Sequence, residues 1–332
     1  MNRNATQRFS HSWISRFLFF LLLILHYATL PLSAQEDPHQ RLHAAADLAL
    51  QGHYEGAIEL ARPTLGSTAL SQTERGRGWT LLGLAYQYRG DFQKATTAYE
   101  NALQILEGRG GSASDYASAL ASFGTLYRDM GQMDAARRME LRALRVNQQI
   151  NDPAGIAAVS ATLADIELGG KHIGRAQTWL DEATRESRLA PTLGDSFHAS
   201  VASSQAWLEE LKGHMQAAIA GHEMEIDYLT HAHGEETPQV GWAYMLLGKA
   251  YLENGNVNDA LTSMCKGRVL LLQTLGPNNL RYLVAQLEYA QALKSAGMKA
   301  NAARTKLDAE SQLKSIYKEQ CSQCRITVMA LR

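Results

Sequence analysis

The sequence repeats with a period close to 42 residues, and this period limits the folds open to the chain more than any other feature. Most units carry a glycine, an aromatic or apolar residue two positions later, and an alanine five positions after the glycine. The alanines are separated by 38, 41, 40, 42, 42 and 42 residues and are Ala57, Ala95, Ala136, Ala176, Ala218, Ala260 and Ala302. The glycine is replaced by Lys171 in the fourth unit. Units of this size stack on their neighbours, so the 332 residues are predicted to form one solenoid in place of two globular domains.

Each unit is predicted to contain two helices joined by a tight turn. In the second unit one apolar stripe has the i, i+3, i+4, i+7 spacing of a helix face and consists of Trp79, Leu82, Gly83 and Tyr86. Gly90 is expected to end this helix, because glycine readily adopts the left-handed conformation of a C-terminal cap. A second stripe follows and consists of Phe92, Ala95, Tyr99 and Ala102. We expect the stripes to face each other in an antiparallel hairpin, with Gly83 and Ala95 small because the two backbones approach closely.

Composition agrees with an all-α chain and excludes several classes of protein. Ala, Leu, Gln, Glu and Arg, which favour helices, recur throughout the sequence. An apolar fraction of 45% excludes a disordered chain, and 3 cysteines do not make a disulfide scaffold. Lys and Arg number 32 against 33 Asp and Glu, a net charge of −1. We therefore expect no nucleic-acid partner, since nucleic-acid binding requires a basic face.

The N-terminal segment 1–34 is predicted to be an export signal. Three arginines precede the apolar run Phe17–Leu25, no acidic residue occurs before Glu36, and small residues follow at Ser33 and Ala34. This pattern predicts cleavage near Ala34 and an exported chain that is periplasmic, in the cell envelope or secreted. The alternative is an uncleaved signal anchor, although the run is short of the roughly 20 residues that span a bilayer. A membrane contact is expected only in that case.

The segment from Trp79 to Ala102 resembles the tetratricopeptide repeat, reading W-x-x-L-G-x-x-Y, then G-x-F-x-x-A-x-x-x-Y-x-x-A. A period near 42 is similar to the longer variant of kinesin light chains, as are the connections His233–Pro238 and Leu275–Asn279. The resemblance implies an all-α, right-handed α-solenoid of about seven antiparallel hairpins over residues 38–324, with a tail at 325–332. Its units would start near residues 38, 76, 117, 157, 199, 241 and 283.

The same resemblance implies a non-catalytic scaffold that binds a peptide or protein partner along the concave face lined by first helices. By matching register, the implied partner-binding residues are Tyr88, Leu84, Gln87, Arg128, Trp207, Glu210, Trp242, Met245 and Lys249. Trp and Tyr are typical anchors of protein interfaces. Packing between adjacent units is an equally open interpretation of Tyr88, Trp207 and Trp242.

No sequence motif argues for catalysis, a cofactor or a bound metal. The chain has neither a Gly-rich phosphate loop nor a nucleophile elbow, so we expect no enzyme. Cys321 and Cys324 form a CxxC pair without a neighbouring βαβ unit, which favours a local disulfide or a free thiol pair. Histidines concentrate between His214 and His233, but the helix beginning at His222 lacks the second histidine of zinc proteases. A metal- or thiol-dependent protein that uses either region stays open as an alternative.

Overall fold

The computed structural model describes residues 37–108 and 111–320, which form fourteen α-helices and no β-strand. In chain order the helices are α1 (Pro38–Leu50), α2 (Tyr54–Thr64), α3 (Gln72–Arg89), α4 (Phe92–Leu106), α5 (Ala113–Asp129), α6 (Met133–Gln149), α7 (Pro153–Gly169), α8 (Ile173–Ser187), α9 (Asp195–Lys212), α10 (Met215–His233), α11 (Pro238–Glu253), α12 (Val257–Leu275), α13 (Leu280–Ser295) and α14 (Lys299–Gln320). Consecutive helices pair as seven hairpins, which confirms the predicted all-α solenoid. None of the described helices is long and apolar enough to cross a bilayer.

The first helices of units two to seven begin three or four residues before the positions expected from the repeat pattern. Capping residues explain the earlier starts. The Ser71 side chain accepts a hydrogen bond from the Glu74 amide in a capping box. Asp152 and Thr237 cap α7 and α11, and each is followed by a proline at the first helical position. The signal peptide and the C-terminal tail predicted at either end lie outside the described residues.

The residue five positions before each repeat alanine ends the first helix in the left-handed region. Its φ is 81°, 88°, 73°, 57°, 83°, 86° and 79° from the first unit to the seventh. This confirms the role predicted for Gly90. Six of these residues are glycines, for which the conformation is free of strain. Lys171 adopts it with a side chain, at a cost of about 1 kcal/mol.

Small residues lie where the two helices of a hairpin cross. A Cβ atom on Gly83 would be 2.6 Å from the Tyr99 ring, and one on Gly248 would be 2.4 Å from the Met264 side chain. We call this set the crossing residues: Gly83, Gly124, Ala164, Ala206, Gly248 and Ala290. The residue four positions after each repeat alanine is buried in the second to sixth units, and we call these the covering residues: Tyr99, Glu140, Leu180, His222 and Met264. The Cβ on Gly248 would also lie 3.0 Å from the carbonyl oxygen of Ala260 on the second helix, so close backbone approach is confirmed at that crossing.

The array curves until its first and last units meet. The side-chain amide of Asn279, at the start of α13, donates a hydrogen bond of 3.0 Å to the carbonyl oxygen of Tyr88 at the end of α3. One apolar cluster includes residues of α1 to α5 together with Trp242 of α11 and Tyr282 of α13. First helices thus meet one another across the turn of the superhelix, and they line its inner face.

Candidate interaction surface on the inner face

All nine residues predicted to bind a partner lie on first helices, but they are not equally accessible. Four of them are buried, with exposed fractions between 3% and 8%, and these are Gln87, Glu210, Trp242 and Met245. The other five are half-buried, and these are Leu84, Tyr88, Arg128, Trp207 and Lys249. Helical geometry explains the burial of Gln87 and Glu210, which lie four positions after Gly83 and Ala206. A residue four positions from the crossing residue stays on the stripe that faces the second helix, whereas the next residue along the chain is rotated by about 100°.

One accessible side chain per unit follows the crossing residue along the inner face. This row, which we call the inner row, is half-buried in five units and exposed in the last, and it consists of Leu84, Thr125, Asp165, Trp207, Lys249 and Gln291. It mixes apolar, polar and charged groups. Three of the nine predicted residues, Leu84, Trp207 and Lys249, belong to it. The remaining predicted residues occupy other positions of the first helices.

Gln87 joins α3 to its hairpin partner and to the next unit. The Tyr99 hydroxyl on α4 donates a hydrogen bond of 2.9 Å to Gln87 Oε1. Gln87 Nε2 in turn donates one of 2.7 Å to Asp129 Oδ2 on α5. Both amide atoms of this buried side chain are therefore used inside the array.

Arg128 and Asp165 continue these polar contacts across units three, four and five. Arg128 Nη1 on α5 lies 2.8 Å from Asp165 Oδ2 on α7, and the Ser204 hydroxyl on α9 donates to Asp165 Oδ1 at 2.6 Å. Burial raises the pKa of Asp165, and the Arg128 guanidinium and the Ser204 hydroxyl oppose that rise. Burial disfavours the charged Arg128, but Asp165 and Asp129 outweigh it and raise the arginine pKa. One carboxylate thus connects three successive first helices.

His222 is a covering residue held between two carboxylates. Its Nδ1 atom lies 2.8 Å from Glu225 Oε2 on α10, and its Nε2 atom lies 3.2 Å from Glu210 Oε1 on α9. Burial alone would lower the pKa of His222, but the two hydrogen bonds outweigh it and raise the pKa to about 9. Lys249 Nζ on α11 approaches the other oxygen of Glu210 at 3.8 Å. His222 therefore links the two helices of unit five, and Glu210 extends the contact to Lys249 of unit six.

Glu140 is the covering residue of unit three and has no such partners. Its side chain is fully buried over Gly124, and neither carboxyl oxygen has a hydrogen-bond partner among the described residues. Burial raises its pKa well above the ordinary value, although the Arg128 guanidinium opposes the rise. Burial without a hydrogen-bond partner therefore favours the protonated form of Glu140.

The repeat register in the sequence distinguishes Glu140 and His222 from the other covering residues. Alignment on the repeat alanine places Tyr99, Leu180 and Met264 at the covering position, where an apolar side chain packs on the crossing residue. Glu140 and His222 are the departures at that position. From the sequence, this register is applied to Tyr99 in unit two. His222 is placed there only in the histidine-rich region and is not identified as a covering residue.

Carboxylates of the last three first helices lie near one another on the inner face. Burial and the neighbouring Glu210 raise the pKa of Glu253 on α11. Burial and Glu253 raise the pKa of Glu288 on α13. Lys249 Nζ lies 3.3 Å from Glu253 Oε1 and supplies one opposing positive charge.

Three histidines of the histidine-rich region have separate partners. His214 Nδ1 contacts Glu209 at 2.6 Å, and His233 Nε2 contacts the Ser196 hydroxyl at 2.8 Å, so their partners differ from those of His222. Within the described part of the chain no group of three His, Cys, Asp or Glu side chains has the geometry to hold a metal ion. Cys321 and Cys324 lie outside the described residues. Cys265 is a half-buried free thiol on α12.

Comparison with known proteins supports the assignment of the repeat. Residues 74–149 match the family model described as Tetratricopeptide repeat. Over this stretch the chain carries tetratricopeptide repeats, and the remaining described hairpins continue the same architecture. Tetratricopeptide repeats generally serve as non-catalytic scaffolds that bind other proteins.

Solved structures share this fold at low sequence identity. A Rap protein complexed with Competence and Sporulation Factor is 11% identical with a TM-score of 0.60, and the match covers 89% of this chain and 85% of that one. The Cut9–Hcn1 hetero-tetramer of APC/C is 13% identical with a TM-score of 0.59, covering 94% of this chain and 54% of that one. A tetratricopeptide repeat protein from Parabacteroides merdae is 14% identical with a TM-score of 0.48, covering 89% and 99%. No curated protein matches the sequence. The likenesses to the Rap protein and to Cut9–Hcn1 show the fold alone.

Proposed function

We propose that this chain is an exported protein-interaction scaffold, without catalytic activity of its own, that binds an extended peptide or protein segment along its inner face. The inner row carries the proposal. Six successive first helices each place one accessible side chain at the same register position. A ligand that runs along the superhelix can contact every unit in turn, which is how stacked repeats provide long binding surfaces.

The chemistry of the inner row favours a partner segment of mixed character. Trp207 and Leu84 supply apolar contact area, and Trp is among the residues that most often dominate binding energy. Asp165 and Lys249 add charges of both signs, which give orientation and specificity more than affinity. Asp165 already pairs with Arg128, so the apolar members are expected to contribute most of the affinity.

Site-specific photo-crosslinking tests the location of the binding surface. A photoreactive amino acid replaces Thr125 of the inner row in one variant and Thr97 on α4 in the control, and both are expressed in the native host. The two threonines match closely, because each hydroxyl donates a 3.2 Å hydrogen bond to the carbonyl oxygen four residues earlier. Thr97 is exposed on a second helix, away from the inner face. We expect a discrete cross-linked partner from position 125 alone; equal cross-linking from both positions, or from 97 alone, contradicts the proposal.

Export and cleavage form the second part of the proposal and rest on the basic, apolar and small-residue pattern of the first 34 residues. N-terminal sequencing of the protein recovered from its host tests this part. A chain that begins at Gln35 supports a cleaved export signal. A chain that retains residues 1–34 contradicts cleavage and favours the membrane-anchored alternative.

A further inference from the structure

Five side chains join units that are far apart in sequence, and we call this contact the seam. Tyr54 and Tyr88 come from the first two units, and Trp242, Asn279 and Arg281 come from the last two. Asn279 donates its amide to the Tyr88 carbonyl oxygen across 191 residues of sequence. That carbonyl belongs to the last turn of α3, where helical carbonyls lack a donor from their own helix. The hydrogen bond therefore satisfies a group that the helix itself leaves open.

Aromatic and cationic groups stack in the seam. The rings of Tyr54 and Tyr88 lie 4.9 Å apart at an interplanar angle of 7°. The Arg281 guanidinium carbon lies 5.0 Å from the Tyr88 ring centre and 5.7 Å from the Trp242 ring centre. The Arg281 guanidinium thus makes cation–π contacts with Tyr88 of unit two and with Trp242 of unit six.

The closed seam also leaves one buried hydrogen-bond donor without an acceptor. Trp242 is 8% exposed, and its indole N–H has no hydrogen-bond partner among the described residues. A buried donor without an acceptor forgoes the bond that it makes with water in the open state. Burial of the Trp242 indole N–H therefore disfavours the closed form. Both predicted anchors of the seam, Tyr88 and Trp242, are of the residue types that bind partners most strongly.

We propose that the seam is a latch. In the closed form Asn279 and Arg281 hold unit two against units six and seven, and in the open form Tyr88 and Trp242 become accessible on the inner face. The polar and cationic contacts of the closed form come from a few side chains, and they lie over the apolar cluster that the first two and the last two units share. The consequence for partner binding rests on the proposed function, since a ligand on the inner face would compete with the latch; the opening itself does not require a partner.

Small-angle X-ray scattering of the full mature chain tests the latch with a double variant, Asn279→Asp and Arg281→Gln. Aspartate keeps the helix cap, in which Oδ1 of residue 279 accepts from the amide of residue 281 at 2.9 Å, but removes the amide donor to Tyr88. Glutamine removes the cation from the two rings. Both changes are nearly isosteric and lie outside the hairpin crossings, and circular dichroism verifies that helix content is retained.

Arg268→Gln is the matched control. Arg268 on α12 makes the same kinds of contact within neighbouring helices, with its guanidinium carbon 4.8 Å from the Tyr289 ring and a hydrogen bond of 3.2 Å to Gln286. We expect a larger radius of gyration and maximum dimension for the double variant and no change for the control. Equal dimensions in the double variant and the parent chain overturn the latch, as does the same expansion in the control. Because no partner takes part, failure of the latch is distinct from failure of the cross-linking at position 125.

Discussion

Replacement of His222 by glutamine tests the buried imidazolium at the junction of units five and six. The variant keeps a polar side chain at the covering position but removes the positive charge between Glu210 and Glu225. The carboxylates of Glu210 and Glu225 would then lose the positive charge that they share in a buried site, while Lys249 Nζ stays 3.8 Å from Glu210. We expect the variant to be markedly less stable at neutral pH, since a broken buried ion pair leaves uncompensated charge.

The size of the effect follows from the shift in the histidine pKa. The pKa rises from 6.5 to about 9 on folding, and each pKa unit corresponds to about 1.4 kcal/mol. The imidazolium therefore contributes on the order of 3 kcal/mol to the free energy of unfolding at low pH. Because the folded pKa lies above the unfolded one, this contribution is complete below pH 6.5 and is lost as the pH rises through 9.

Urea unfolding at pH 6 and pH 10 measures the prediction by comparing the parent chain with His222→Gln. The difference in free energy of unfolding should be about 3 kcal/mol larger at pH 6 than at pH 10. His214→Gln is the control, because His214 makes a comparable 2.6 Å contact with Glu209 but is largely exposed. Exposed pairs contribute at most about 1 kcal/mol, so the control should change little at either pH. A difference between parent and His222→Gln that is independent of pH would refute the reasoning.

Three further changes probe the repeat register. Lys171→Gly should raise the free energy of unfolding by about 1 kcal/mol in a denaturant titration, because it removes the side chain from a left-handed position. Gly83→Ala should lower the melting temperature, since its Cβ would lie 2.6 Å from Tyr99, and overpacking costs about 1–3 kcal/mol; Gly174→Ala, with open space around its Cβ, should not. Glu140→Met should raise stability at pH 7 more than at pH 4 in thermal melts, because the pKa of Glu140 is raised on folding and ionisation favours the unfolded chain.

The hairpins could be predicted from sequence because their determinants are local. An apolar stripe, a glycine that accepts positive φ and an alanine at the crossing all lie within about 25 residues, as Trp79 to Ala102 illustrates. Each pattern has a direct geometric meaning, so the turn at Gly90 and the crossing at Gly83 follow without knowledge of the rest of the chain. Helix starts were less accurate, because side-chain caps such as Ser71 and Asp152 extend the helices beyond the apolar stripe.

The seam could not be predicted in the same way. Whether Asn279 reaches Tyr88 depends on the rotation between neighbouring units, summed over the whole array. A few degrees in each unit move the last helices by many ångströms, and no local pattern at Asn279 or Arg281 encodes that sum. The local sequence at Asn279 indicates only a helix cap. Asn279 does cap α13, and it also contacts Tyr88. Contacts between distant units are therefore a property of the superhelix rather than of any repeat.

The division of the inner face into internal and accessible positions sharpens where a partner should bind. Gln87, Arg128 and Glu210 all lie four residues after their crossing residues, and each is engaged by a neighbouring helix. For Gln87 and Glu210 this follows from the helix, because a step of four residues returns to the stripe that faces the hairpin partner, while a step of one leaves it. Arg128 instead contacts Asp165 on the first helix of the next unit. Trp207 and Lys249 take the step of one and remain accessible. We therefore expect a residue of a type common at interfaces to bind a partner in this array when its distance from the crossing residue places it in the inner row.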